Sequence, residues 1–263
     1  MNCEIILPAT MRHRQRVMLD AMAAAASQAG VQATPVAAYT GRARVVVTWG
    51  MGHPGRRPAL LQHVRQGGRV VGWDLGYWHR DQHYRLTVDK DHPSGLLRDM
   101  PPSRWDAAGI TLREDYRAEV PIILVGMGEK SRVSLGYAGQ RWEEQTFAAL
   151  RRAYPHARIL YRPKRPEAFR FCAAAQGSIE EVLRGASLVV CNHSNVAVDA
   201  CIAGVPVVCN DGAASALYGS DLVNPVHATR EQRLVFLRRL AWWQWKPQEA
   251  PAAWNFIKHV ISA

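Results

Sequence analysis

The sequence predicts an α/β protein with two parallel sheets, and two observations support this fold class. Short apolar runs typical of buried strands alternate with helical patterns along most of the 263 residues. The alternation lapses between residues 92 and 120, where Pro101 and Pro102 interrupt it, and then restarts. We therefore expect two Rossmann-like domains of similar size, each long enough to bury its own core.

The first half is predicted to contain three strands and two helices. The first helix opens after Thr10 and stops at Gly30, and the second closes at Gly67, as capped helices do. The strands are CEIILPA, ARVVVTWGMG and RVVGWDLGYWH, and the helices are TMRHRQRVMLDAMAAAASQAG and RRPALLQHVRQGG.

The second half repeats the alternation with four strands and three helices. Ser178 and Glu181 form a capping-box pattern at the start of one helix. The strands are PIILVGMG, ARILYRP, ASLVVCN and VPVVCND, and the helices are GQRWEEQTFAALRRAYP, SIEEVLRG and SNVAVDACIAG.

The tail from Arg230 is predicted to be helical, with breaks at Pro247 and Pro251. Its tryptophans fit the packing of a terminal helix. The predicted domains are 1–118, 119–240 and a tail of 241–263 that returns to the first domain.

Composition excludes several classes of protein. The chain has no apolar run long enough to span a membrane, and its apolar opening precedes its basic residues, so we expect a cytoplasmic protein. The five cysteines form no CxxC pair and fit buried free thiols. The ten histidines show no zinc-binding spacing, and the polar run at residues 89–92, DKDH, fits a turn better than a metal site.

The net charge of +11 is concentrated near the N-terminus. Residues 1–73 hold nine arginines against Glu4 and Asp20, a net charge of +7. A basic face of this kind fits a polyanion, although 28 arginines against 5 lysines also fit a codon-biased genome.

Three turns at predicted strand ends carry groups that suit an anion such as a nucleotide diphosphate, because helices begin there with unpaired amides. Each turn also has a simpler explanation: Ser194 fits a helix cap, and GEKS fits a solvated loop. The candidate residues are Gly126, Gly128, Lys130 and Ser131 in the first turn, Arg162 and Lys164 in the second, and His193, Ser194 and Asn195 in the third.

The order of these parts in residues 121–212 resembles the nucleotide-binding domain of GT-B glycosyltransferases. The resemblance rests on LVGMGEKS, YRPKR and the unit HSN…D…AGVPVV, although Asp replaces the usual Glu and Lys164-Arg165 replaces the usual His-Pro. It implies that Ser194 and Asn195 bind phosphate and that Asp199 binds the ribose or sugar. It also implies a nucleotide sugar, in our expectation UDP-linked, as co-substrate with no separate cofactor and no metal.

The remainder resembles phage-encoded glycosyltransferase-like proteins, on the stretches LAWWQWKPQEAPAAW and GWDLGYWHRDQHYRLTVDKDHP. This resemblance and the basic N-terminus favour DNA with a hydroxymethylated base as acceptor, which places the protein in a host cytoplasm. The base would be flipped out of the stack. The expected DNA-binding residues are Arg12, Arg14, Arg16, Arg42, Arg44, Arg56 and Arg57.

Asp74 follows an apolar strand and is our candidate general base for the acceptor hydroxyl, with Arg80 beside it. Asp74 also fits a turn cap or an ion pair with Arg80. Two further functions stay open: a glycosyltransferase with a carbohydrate or lipid-linked acceptor, and a non-catalytic nucleotide- or DNA-binding protein.

Overall fold

A computed structural model describes residues 1–51 and 53–262, in which we assign ten strands and ten helices. The strands are β1 (Asn2–Ile6), β2 (Gln32–Val36), β3 (Val45–Trp49), β4 (Arg69–Leu75), β5 (Tyr84–Val88), β6 (Ile122–Val125), β7 (Ile159–Arg162), β8 (Leu188–Cys191), β9 (Val207–Cys209) and β10 (Gln244–Trp245). The helices are α1 (His13–Ala25), α2 (Arg57–Arg65), α3 (Ser103–Asp106), α4 (Glu129–Ser134), α5 (Arg141–Ala153), α6 (Ile179–Arg184), α7 (Val196–Ala203), α8 (Ser215–Tyr218), α9 (Arg230–Ala241) and α10 (Ala250–Ser262).

The chain divides into two compact units, and both are Rossmann-like, which confirms the predicted fold class. The first unit is Met1–Pro93 with the C-terminal segment that begins at Trp242, and the second is Ser94–Ala241. The first sheet has the strand order β10-β5-β4-β3-β1-β2, and the second has β7-β6-β8-β9. The first four strands of each sheet, β1 to β4 and β6 to β9, are parallel. In both sheets the second strand lies on one side of the first, and the third and fourth strands lie on the other side.

The first sheet has three strands that the sequence analysis did not predict. β2 pairs parallel with β1 at the sheet edge, where Pro35 is tolerated because its missing amide faces no partner strand. β5 pairs antiparallel with β4, and β10 pairs antiparallel with β5. The prediction of an entirely helical tail was therefore wrong at Gln244–Trp245, which extends the sheet before α10 begins.

Aromatic side chains of the tail pack in the first unit. Trp254 is fully buried, and its Nε1 donates to the carbonyl of Met22 at 2.8 Å. Trp243 and Trp245 are also buried, and both ring systems contact Phe256. Burial of such large apolar surfaces is the main stabilising contribution to a fold, so the tail is an integral part of this core.

The predicted elements of the second unit are all present, and the capping box is confirmed. The Glu181 amide donates to Ser178 Oγ at 3.2 Å, and the Ser178 amide donates to Glu181 Oε2 at 2.6 Å. The carboxylate is stabilised by these bonds to Ser178, which lower the pKa of Glu181. The core beneath this sheet includes Ile122, Leu124, Trp142, Leu150 and Tyr161.

The residues between Ser94 and β6 are part of the second unit. The amide of Arg113 donates to the carbonyl of Ile202 at 2.9 Å, and the amide of Asp115 donates to the carbonyl of Ala203 at 2.8 Å. Gly204 permits this approach, because a Cβ there would lie 2.6 Å from the Arg113 carbonyl oxygen. The predicted domain limits 1–118, 119–240 and 241–263 remain a prediction. Within the described ranges, no helix combines the length and apolar character that crossing a bilayer requires.

Candidate functional site

The second sheet reverses its winding between two neighbouring strands. The chain passes from β6 to β7 on one side and then returns to β8 on the other side of β6. Such a reversal in an open parallel sheet leaves a crevice beyond the carboxyl ends of the two central strands, because the connections depart in opposite directions. The turns after β6 and β8 contain the predicted glycines and the Asn-His-Ser-Asn segment. The topology therefore brings two of the three predicted anion-binding turns to one crevice.

The glycine turn after β6 lies close to the end of β7. Gly126 donates to the carbonyl of Arg162 at 3.0 Å, and a Cβ on Gly126 would lie 2.1 Å from the hydroxyl of the buried Tyr161. Gly128 contacts Lys164, since a Cβ there would lie 3.1 Å from Cδ of that lysine. Glycine at both positions therefore lets the turn approach the neighbouring strand and places Lys164 against it.

A buried ion pair supports this turn from the protein interior. Glu143 on α5 is fully buried, and its Oε1 accepts hydrogen bonds from the amide of Met127 at 2.8 Å and from Nη2 of Arg132 at 2.7 Å. Arg132 also donates to Glu167, from Nη1 to Oε1 at 2.9 Å. Burial lowers the pKa of Arg132, but the hydrogen bonds to Glu167 and Glu143 raise it by more, so the guanidinium keeps its charge. The pair fixes the backbone that forms one wall of the crevice.

The turn after β8 forms the other wall. Asn192 is buried, and its carbonyl accepts a hydrogen bond from the amide of Asp211 at 2.9 Å. Ser194 Oγ accepts a hydrogen bond from the amide of Val196, the first residue of α7, at 3.3 Å. Asn195 is the N-cap residue of α7, so Ser194 stabilises the turn just before the helix and does not take the N-cap position. This contact uses a lone pair of the hydroxyl and leaves its proton to donate, so it is compatible with phosphate binding.

A hydrogen bond joins the two walls. His193 Nε2 lies 3.0 Å from Ser131 Oγ, and His193 Nδ1 lies 2.9 Å from Asn192 Oδ1. Gly212 packs beneath the histidine, where a Cβ would lie 3.3 Å from the His193 Cα. Ser131 and His193 are both partly exposed, so the groups that meet across the crevice are accessible from solvent.

The remaining predicted donor residues take different positions. Lys130 is exposed in the first turn of α4. Asp199 lies four residues after Asn195, which puts the two on one side of α7. Arg162 Nη1 donates to the carbonyls of Ala175 and Gly177 at 3.1 and 2.7 Å, so this guanidinium holds the segment beside β7.

The crevice is suited to a phosphate group. The N-terminus of α7 brings a partial positive charge to it. Lys164 lies against one wall. The hydroxyls of Ser131 and Ser194 add short hydrogen-bonding groups. A buried carboxylate, Glu143, is neutralised by Arg132 and therefore does not repel an anion.

In the first unit, Asp74 pairs with Arg85 and not with Arg80. Asp74 Oδ2 accepts from Arg85 Nη2 at 3.0 Å, while its Oδ1 accepts from the amide of Leu75 at 2.8 Å. The side chain of Asp74 is 39% exposed, so the carboxylate remains accessible from solvent. The carbonyl of Arg80 accepts a hydrogen bond from Arg14. The suggested Asp74–Arg80 pair is therefore replaced by Asp74–Arg85, because β5 pairs with β4 and brings residue 85 opposite residue 74.

The seven arginines predicted to bind DNA lie at the two ends of the strands of the first sheet. Five of them follow the carboxyl ends of β1 and β3. Arg44 directly precedes β3 and so lies at the amino end of that strand, and Arg42 is two residues earlier. The five are Arg12, Arg14, Arg16, Arg56 and Arg57.

Several of these arginines also make internal contacts. Arg57 pairs with Asp91 at 2.5 Å, and Arg56 Nη2 donates to the carbonyl of Trp49 at 3.3 Å. Burial lowers the pKa of Arg56. Arg16 donates to the carbonyl of Pro8 at 3.3 Å. Arg14 donates to the carbonyl of Arg80, although Arg12 and Arg14 are both exposed.

The DKDH segment makes ion pairs. Asp89 pairs with Arg69 at 2.7 Å and accepts from the amide of Val70 at 2.8 Å, and Asp91 pairs with Arg57. These contacts agree with the polar turn that the sequence analysis preferred.

Two supporting residues were missed by the sequence analysis. Glu143 belongs to the buried face of α5 with Thr146 and Leu150, at spacings of three and four residues, and this periodicity was the available signal. Gln244 Oε1 accepts from the amide of Tyr77 at 2.8 Å and thereby holds the loop after Asp74. No local pattern indicates that contact, since the two residues are 167 positions apart.

No protein-family model and no curated protein matches the chain. Two solved structures resemble it along its whole length, both from KpsC of Thermosulfurimonas dismutans. The beta Kdo 2,7 transferase has a TM-score of 0.56 at 14% identity, over 98% of this chain and 99% of that one. The beta Kdo 2,4 transferase has a TM-score of 0.54 at 12% identity, over 99% and 98% of the respective chains. This chain therefore shares the fold of those two transferases.

Proposed function

We propose that the protein is a glycosyltransferase that binds a nucleotide sugar in the crevice of the second unit and transfers the sugar to an acceptor. The observation that carries the proposal is the meeting of the glycine turn and the Asn192–Asn195 turn at the point where the sheet reverses, joined by the His193–Ser131 contact. The shared fold of two Kdo transferases supports the same reaction class.

The proposed chemistry is electrostatic stabilisation of a leaving nucleotide. The bond between the anomeric carbon and the phosphate oxygen breaks, and negative charge develops on the phosphate. Lys130, Lys164 and the N-terminus of α7 would stabilise that charge, so we propose that donor binding requires no metal. Ser194 and Asn195 would bind phosphate, and Asp199 would bind the ribose or the sugar.

The donor is proposed to be UDP-linked, with activated Kdo as the second candidate. The resemblance of residues 121–212 to GT-B enzymes supports a nucleoside diphosphate sugar. The two solved structures are named as transferases of Kdo, and they favour including its activated form among the donors tested.

Two acceptors follow from different observations. The solved structures favour a carbohydrate acceptor, because both are named for linkages of Kdo. The five arginines at the carboxyl ends of β1 and β3 favour DNA. Arg12 and Arg14 would hold its phosphates, and a hydroxymethylated base would be the reacting group. In either case Asp74 would accept the proton of the acceptor hydroxyl.

Thermal unfolding with a panel of nucleoside diphosphates and sugar nucleotides tests the donor site. A ligand at a hundred times its Kd adds about 2.7 kcal/mol to the free energy of unfolding. We expect a shift with one nucleotide that disappears in the double variant Ser194→Ala/Asn195→Ala. Ser220→Ala, an exposed serine outside the two turns, serves as the control.

Acceptor assays then separate the remaining functions. Transfer to hydroxymethylated DNA, weakened by added salt, would support the DNA acceptor, and transfer to a Kdo oligosaccharide without salt sensitivity would support the carbohydrate acceptor. If no nucleotide shifts the unfolding temperature while DNA binds in a salt-sensitive manner, the protein is a non-catalytic DNA-binding protein and the proposal fails.

A further inference from the structure

Three side chains at the crevice form a continuous hydrogen-bonded row. Ser131 Oγ lies 3.0 Å from His193 Nε2, and His193 Nδ1 lies 2.9 Å from Asn192 Oδ1. Ser131 comes from α4 and the other two from the turn after β8, so the row exists only because the sheet places β6 beside β8. A hydroxyl, an imidazole and an orienting acceptor in this order are the parts of a proton-transfer system.

The orienting end of the row is rigid and the other end is accessible. Asn192 is 5% exposed, and its backbone is held by the hydrogen bond from the amide of Asp211. Ser131 and His193 are partly exposed. A substrate can therefore reach the hydroxyl while the amide side chain keeps the ring in place.

The amide oxygen of Asn192 determines which proton can move. Because Oδ1 is an acceptor, it binds a proton on His193 Nδ1 in both the neutral and the protonated ring. The only proton left to exchange is the one shared between Nε2 and Ser131 Oγ. The ring can therefore gain or lose a proton at Nε2 without turning.

The surroundings indicate phosphate as the group that meets Ser131. Lys164 lies against Gly128, three residues before the serine, and the N-terminus of α7 follows His193 by three residues. An acyl-enzyme reaction at Ser131 would need two backbone amides aimed at an oxyanion. The amide of Met127 instead donates to Glu143, and that of Ser131 donates to the carbonyl of Gly128. The geometry thus favours proton transfer to phosphate over nucleophilic attack by Ser131.

We propose that Ser131 and His193 form a relay that protonates the departing phosphate of the sugar nucleotide, with Asn192 as its positioning residue. This inference rests on the proposed function. As the bond from the anomeric carbon to the phosphate oxygen breaks, that oxygen takes the proton of Ser131, and Ser131 takes the Nε2 proton of the protonated His193. The acceptor oxygen forms the new bond and gives its proton to the general base; the base then releases that proton to water, and His193 takes a proton back from water.

The orientation of the ring is tested first, without a substrate. In ¹⁵N-histidine-labelled full-length protein, we expect long-range ¹H–¹⁵N spectra to show neutral His193 with its proton on Nδ1. Spectra of His193→Gln assign the signal. In Asn192→Leu we expect a mixture of the two tautomers. A neutral His193 that carries its proton on Nε2 in the wild-type protein would reverse the relay and overturn the inference, independently of the kinetic results.

Kinetics with the sugar nucleotide that shifts the unfolding temperature, beginning with UDP-glucose and CMP-Kdo, test the catalytic role. A general acid contributes about 10²- to 10⁴-fold in rate. We therefore expect kcat for nucleotide release to fall by about a hundredfold or more in His193→Gln and Ser131→Ala, with KM for the donor nearly unchanged. Ser131→Thr, which keeps a hydroxyl, should restore most of the rate. His156→Gln, an exposed histidine in the same unit, is the control.

The outcomes distinguish a failure of the relay from a failure of the proposed function. Donor binding with a wild-type kcat in His193→Gln would overturn the relay and leave the proposed function standing. No donor binding by the wild-type protein would overturn the proposed function and the relay's role in it. Covalent labelling of Ser131 by a fluorophosphonate, lost in His193→Gln, would show a nucleophile in place of a relay and would also overturn the inference.

Discussion

The carboxylate of Glu143 accepts a hydrogen bond from the backbone amide of Met127 at 2.8 Å, so a side chain on α5 holds the turn that leaves β6. The same oxygen accepts from Arg132, on the short helix that carries Ser131. One buried acid therefore fixes both the glycine turn and the start of α4. The candidate crevice depends on this contact, although Glu143 does not line the relay itself.

Replacement of Glu143 is expected to destabilise the protein. Glu143→Ala removes one partner of a buried ion pair and leaves the buried amide of Met127 without its acceptor, and an unsatisfied buried group costs about 1–3 kcal/mol. Arg132 keeps its ion pair with Glu167. Urea denaturation measures this loss. Glu143→Leu combined with Arg132→Met should cost less than the sum of the single changes, because neither charge is then left alone. Additive losses would show that the two residues do not interact energetically.

Gly126 is expected to tolerate no side chain. Gly126→Ala puts a Cβ 2.1 Å from the Tyr161 hydroxyl, and such overpacking costs about 1–3 kcal/mol. Tyr161→Phe removes the clashing oxygen and should reduce the cost of the alanine. Gly185→Ala is the matched control, since its Cβ would meet only the Val182 carbonyl at 3.9 Å. Equal losses in unfolding free energy at positions 126 and 185 would contradict the predicted clash.

Gln244 is expected to order the loop that follows Asp74. Gln244→Met keeps the length of the side chain but removes the acceptor of the Tyr77 amide, and an unsatisfied buried amide costs about 1–3 kcal/mol. Hydrogen exchange should accelerate at the Tyr77 amide and stay unchanged at Ile5 in β1. Protection at Tyr77 equal to that of the wild type would show that the contact does not hold the loop.

Lys164 is expected to contribute to donor affinity. Lys164→Gln removes a charge that lies against the glycine turn, and we expect Kd for the nucleotide identified in the thermal panel to rise about tenfold, or about 1.4 kcal/mol. Arg165→Gln removes the adjacent, exposed charge and should change Kd by less. Equal effects of the two changes would indicate a general effect of net charge.

Cys172 is expected to be the first thiol to react in the native protein. All five cysteines are free, and the other four are buried. Burial raises the pKa of Cys172, against the opposing charge of Arg151, and burial raises that of Cys3 to about 12. The thiolate is the reactive form, so labelling of Cys172 by a disulfide reagent should keep accelerating above pH 9. Cys172→Ser should remove the fast phase, and a fast phase that persists would place the reactive thiol elsewhere.

The sequence by itself determined the alternation of strands and helices in the second unit and the position of two of its turns at strand ends. Apolar strands and capped helices are local signals, because hydrophobic periodicity and cap residues act within a few positions. The glycines at 126 and 128 and the polar segment after β8 were therefore placed correctly at strand ends. The capping box of Ser178 and Glu181 is the clearest local case.

Tertiary structure decided what the local signals do not contain. β10 becomes a strand because β5 offers it an open edge, and Asp74 meets Arg85 because β5 folds back beside β4. The contact of Ser131 with His193 joins residues 62 positions apart, and the burial of Glu143 is stable only because Arg132 neutralises it. Such pairs form when distant segments pack together, so their energies depend on the completed fold and not on the residues nearest in the chain.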